Sequence, residues 1–146
     1  MRFMLIVKAN KDSEAGVMPS KKLIEAMGRF NEEMAKAGVM LAGEGLQASS
    51  KGARVRFDGP KRTVIDGPFA ETKELIAGYW MIQVKSLAEA IEWARRSPNP
   101  FEEGESEIEI RQVFEAADFP ADVLSPEEAA KEQALRAKLA GKTAKS

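Results

Sequence analysis

The chain has 146 residues, 44% hydrophobic and 31% charged, and its 22 Lys and Arg against 23 Asp and Glu leave a net charge of −1. That length suits one domain able to bury a core without staples, and the near-neutral balance argues against nucleic acid or an anionic membrane as partners. Cys and His are both absent, which excludes disulfides, thiolate nucleophiles, cysteine-ligated metals, HExxH zinc sites and every catalytic scheme built on imidazole.

Proton chemistry must therefore fall to carboxylates, Lys or Tyr79. A metal would have to be a hard one held by oxygen. No EF-hand loop or similar spacing is present, so neither metal nor cofactor is expected. The opening MRFMLIV is too brief for the apolar core of a signal peptide. No stretch approaches a membrane span, and a cytoplasmic location is expected.

In chain order, RFMLIVK (2–8) reads as a strand apolar on both faces, Phe3, Leu5 and Val7 against Met4 and Ile6. A polar loop with Gly16 and Pro19 follows. Ser20 then caps a helix whose Leu23, Met27, Phe30 and Met34 recur at helical spacing, with Gly38 just past its end. VMLAGEGLQ from Val39 is a second strand interrupted by Gly43 and Gly45, and ARVRF with RTVID makes a hairpin about Asp58-Gly59-Pro60. Residues 76–84 form the next strand, with Tyr79 and Met81 on one face and Trp80, Ile82 and Val84 on the other. Ser86 and Glu89 form a capping box for a helix whose inner face is Leu87, Ala90, Ile91 and Ala94. Trp93 lies off that stripe, as a packing residue or a partner contact. Pro98-Asn99-Pro100 stops the helix, and SEIEIRQVF supplies a last strand with Ile108, Ile110 and Phe114 on alternate positions, Glu107, Glu109 and Arg111 opposite.

Without the hairpin the order is βαββαβ, an α+β ferredoxin-like arrangement whose helices cover one sheet face. The first and third strands are then central, and both are apolar on both faces. Two helices cannot bury both, so a second copy is the economical cover for the open one, and a homodimer is expected. An apolar cleft with a few polar groups would suit a small-molecule ligand. From Glu115 the character changes, and Ser125-Pro126-Glu127-Glu128 starts a terminal helix with only Leu135 and Leu139 as a large apolar pair. The division expected is a domain over 1–118 and a helical, Ala-rich tail over 119–146.

Three stretches invite a chemical reading. GEGLQA (43–48) matches a loose dinucleotide-binding pattern, but no helix follows to receive a pyrophosphate. Its glycines suit a bulge or a close backbone approach, and Glu44 between them faces either a cleft or solvent. SSKG (49–52) is either a mobile loop or an anion-binding one. In DGPFAETKE (66–74), Asp66 can accept backbone N–H groups in an Asx-type turn, which explains the turn as scaffolding. The aromatic, acidic, hydroxyl and cationic side chains of Phe69, Glu71, Thr72 and Lys73 equally suit a ligand-contacting loop.

DGPFAETKELIAGYW, with GEGL and SSKGARVRFDG, resembles the DGPF-domain branch of the YCII-related proteins over residues 1–118. The resemblance implies a ferredoxin-like domain that dimerises into an α+β barrel, a bacterial origin, and relatives encoded near extracytoplasmic-function sigma factors. A regulatory partner linked to transcription is the alternative function. In the wider family it implies a His-Asp dyad in the cleft, linked in some members to dechlorination or ring-lactone chemistry. This chain departs from that pattern, since it has no His and Gln47 follows GEGL. Asp66 is left as the candidate catalytic residue. The candidate ligand contacts are Glu44, Asp66, Phe69, Glu71, Lys73, Trp80 and Arg111.

Overall fold

A computed structural model describes residues 1–145. It divides into two compact units, one to Val113 and one from Phe114 onward. In the first unit the strands are β1 (Arg2–Lys8), β2 (Met40–Gly45), β3 (Ala53–Asp58), β4 (Lys61–Asp66), β5 (Ile76–Gln83) and β6 (Ile108–Gln112). Its helices are α1 (Lys11–Glu14), α2 (Lys21–Lys36) and α3 (Leu87–Arg96). Strands β2-β5-β1-β6 form, in that order, an antiparallel sheet, while β3 and β4 pair only with each other. This is the ferredoxin-like βαββαβ pattern with an added hairpin, and the first and third strands of the core pattern are central as expected.

The register decides which apolar row is covered. Leu5 pairs with Trp80 and with Ile110, so Phe3, Leu5, Val7, Trp80, Ile82 and Val84 share one face. All six are buried there with Phe30 and Met34 of α2 and Ala90 and Trp93 of α3. Trp80 meets Phe30 edge-on, ring centroids 5.5 Å apart, and donates its indole N–H to Asn31 Oδ1 at 2.8 Å. Gly43 makes room for that indole, since a Cβ there would lie 2.6 Å from Trp80 Cδ1. The close neighbour at Gly43 is thus a side chain rather than another backbone, and the ladder shifts register between Met40 and Ala42 beside it.

Helix α2 begins as read, with Ser20 accepting from the Leu23 N–H, and ends before Gly38 at φ +73°. Helix α3 also begins as read, except that Glu89 reaches back to the Lys85 N–H. Its inner face differs from expectation. Leu87 and Ile91 are exposed, whereas Ala90 and Trp93 are buried, Trp93 at 9% exposure. Turning the indole inward hides more apolar area than either aliphatic chain would. Short α1 lies where a loop is expected, closed by a reciprocal bond pair between Asn10 and Ser13. Phe114 is not on the last strand: β6 stops at Gln112, and Phe114 is exposed against Phe119 in the second unit.

In that unit α4 (Pro126–Lys145) is capped by Ser125, which accepts from the Glu128 N–H, and Leu135 and Leu139 are exposed. Among the described residues no helix is long and apolar enough to cross a membrane.

Candidate functional site

The sheet face away from α2 and α3 is set by the alternate strand positions. One row across it runs Glu44, Tyr79, Ile6, Glu109, and the next runs Ala42, Met81, Met4, Arg111. Helices α2 and α3 lie on the other face, and the centre of this one is apolar, with Met4, Ile6, Tyr79 and Met81 half-buried. Charge gathers on the β6 side, where Glu109 sits 3.8 Å from Lys8 Nζ and 3.3 Å from Arg111 Nη1. Glu44, on the opposite edge, is exposed beside the Tyr79 ring position. The arrangement is an apolar floor with an anion at one edge and a cation-rich cluster at the other.

The DGPF loop is built differently. Gly67 follows the last residue of β4, its N–H donates to Gly52 O at 3.0 Å, and the Gly67–Pro68 peptide is cis. A Cβ on Gly67 would fall 1.7 Å from the Ser49 carbonyl oxygen, so only glycine lets the two backbones meet. Ser49 Oγ accepts from the Phe69 N–H at 3.1 Å and itself donates to Glu14, whose other carboxylate oxygen takes the Ser49 N–H at 2.9 Å. The SSKG segment thus holds an anion, but an internal one. The Phe69 ring lies beneath the Arg54 guanidinium, 3.8 Å from its centroid.

Of the sequence candidates, Glu44 and Arg111 share the open face but stand on opposite edge strands, in adjacent rows. Trp80 is on the covered face at 7% exposure, with its N–H committed to Asn31, so it does not join them. Asp66 is exposed, and among the described residues its side chain makes no hydrogen bond or ion pair. The Asx-type bond expected of it is not formed, because Asp66 remains in the ladder opposite Ala53 and the turn is closed by the backbone of Gly67. Phe69 packs under Arg54, while Glu71 and Lys73 are exposed around a single 3₁₀ turn (Thr72–Glu74). Glu14 has no local signal in the sequence, and Ser49, in a stretch open to anion binding, meets that internal carboxylate rather than a ligand.

The space between the sheet and α2 and α3 is occupied by the core, with Phe3, Leu5, Phe30, Met34 and Ile82 in it. A second concavity, wide and open, lies beside α3 and β6 and is lined by Ile91, Phe101, Ile108, Glu105, Glu107 and Lys73 among others. Among the described residues no three carboxylates converge as a metal-ligand group.

Comparison with known proteins decides the family, because the model of the YCII-related domain matches residues 1–117. The chain belongs to the YCII-related family. It is also 33% identical over 78 residues to an uncharacterized protein of Rhizobium meliloti (strain 1021). That match covers 52% of this chain and 62% of the relative, so the YCII-related chain spans under two thirds of that protein's length.

Proposed function

We propose that this YCII-related chain is of the DGPF branch and binds a small amphipathic molecule on its open sheet face, which a second copy encloses to form a dimeric α+β barrel. One observation carries the reading: the face turned away from α2 and α3 is apolar at its centre and charged at two edges, with Glu44 on one and Arg111 with Lys8 and Glu109 on the other. Bare, such a face exposes apolar surface of the kind that marks association. Closed by its two-fold mate, it becomes a cavity with polar groups placed to orient a ligand. The branch assignment is supported by DGPFAETKE itself, whose glycine has the structural duty described above.

The test is a thermal-shift screen of small organic acids and amines on the wild-type protein and on Glu44→Gln with Arg111→Ala. A binder at about 100 times its Kd adds about 2.7 kcal/mol to stability. Such a shift should appear in the wild type and vanish in the double variant. Equal shifts in both would place the ligand elsewhere. A transcription-linked regulatory partner has no observation of its own in favour, since Trp93, its expected contact, is in the core.

A further inference from the structure

The β3–β4 hairpin carries surface that its own chain leaves uncovered. Val55 pairs with Val64 and Phe57 with Arg62, which puts these four side chains on one face. Val55, Phe57 and Val64 are 50%, 69% and 67% exposed. A lone two-stranded hairpin is marginal in water, and the contacts at the base of this one are local: Gly67 on Gly52 extends its own ladder, Arg54 stacks on Phe69, and Ser49 just before it is held by Glu14. Arg54, Arg56, Lys61 and Arg62 against Asp58 and Asp66 make it basic. Six residues of extended strand reach about 20 Å, which is enough to lie across a neighbour.

The complementary surface lies beside α3 and β6 of the same unit. The connection from α3 to β6 holds Glu102, Glu103, Glu105 and Glu107, with no Lys or Arg between Arg96 and Arg111. The open trough beside it has Ile91, Phe101 and Ile108 in its lining together with Glu105 and Glu107. Of the cations that also line it, Lys8 is paired with Glu109 and Arg95 with Glu92, which leaves Lys73 against two carboxylates. The hairpin leaves the sheet from β2 and β5, whereas the trough borders β6 at the other edge, and the hairpin side chains stay exposed within their own chain. An apolar, acidic trough and an apolar, basic arm on one chain fit each other in a two-fold pair, where each copy gives an arm and receives one.

We propose that the β3–β4 hairpin is a docking arm, whose Val55, Phe57, Val64 and Arg62 seat in the acidic trough between α3 and β6 of a second copy of this chain. This rests on the dimer proposed above and adds the contact that fastens it. The absence of Cys makes a clean test available. Arg62→Cys and Glu105→Cys chains, carrying different tags, are co-expressed, oxidised and run on a non-reducing gel, with light scattering on the same sample. A covalent product containing both tags, lost when Phe57→Ser and Val64→Ser are added to the arm, is expected. A dimer by scattering without the mixed product overturns the arm and leaves the dimer standing. A monomer by scattering overturns the dimer and the arm with it. A charge exchange supplies the second measurement: Arg62→Glu should weaken dimerisation by about tenfold, and Glu105→Arg on the same chain should restore it. Failure of the exchange to restore it also counts against the arm.

Discussion

The DGPF loop and the open sheet face divide the protein's polar residues in opposite ways. The loop is conspicuous in sequence, yet its tightest contacts are structural: Gly67 against the Ser49 carbonyl, the Phe69 N–H on Ser49, and Ser49 on Glu14. The open face has no motif at all, since its members are scattered over four strands and share only a register. A contiguous motif can thus encode a close backbone approach, while groups able to meet a ligand come from alternate residues of separate strands.

The largest effect expected separates the two faces of β5. Trp80→Ala should cost about 3–5 kcal/mol, because it empties the core beside Phe30 and strands Asn31. Tyr79→Ala, one residue along, should leave the monomer folded and register instead as weaker dimerisation. Chemical denaturation read beside sedimentation distinguishes these outcomes, and equal losses of stability would erase the difference between the faces.

Next in size is Gly67→Ala. The added methyl meets a backbone carbonyl that cannot turn aside, and a loss of about 3 kcal/mol is expected. Ser49→Ala removes the acceptor of the Phe69 N–H and the hydroxyl bonded to Glu14, which should lower stability by about 1–2 kcal/mol. A melting temperature unchanged by either substitution would mean that the loop is not anchored in this way. Smallest is Asp66→Asn. The exposed side chain has no partner among the described residues, so a change within about 0.5 kcal/mol is expected. A larger loss, or loss of an identified ligand, would return Asp66 to the site.

These sizes follow the parts of the molecule that were legible in the sequence. Alternation in RFMLIVK and IAGYWMIQ, the Ser20 and Ser86 caps and the Gly38 stop were enough for the ferredoxin-like order and for two central strands apolar on both faces. Which face the helices cover was not legible, because both rows are apolar and only tertiary packing chooses. The stripe on α3 misled for a related reason: Leu87 and Ile91 look like a core edge until Trp93 competes for the same space. Helix α1 escaped because its N3 residue is Ser13 rather than the Glu or Gln of the usual capping box. Trp80 lies on the covered side with its N–H on Asn31, and an aromatic in a central strand gives no sign of its side. The docking of Gly67 on Ser49 joins residues with no local signal between them, and only the folded chain reveals it.

The central claim is that the open face is closed by a second copy, and multi-angle light scattering tests it most directly. At tens of micromolar the wild-type protein should run at twice its 16.0 kDa chain mass, and Ile6→Lys with Met81→Glu should give a monomer of unchanged circular dichroism, since both side chains lie on that face. A wild-type protein that stays monomeric at that concentration, folded and soluble, would contradict the account.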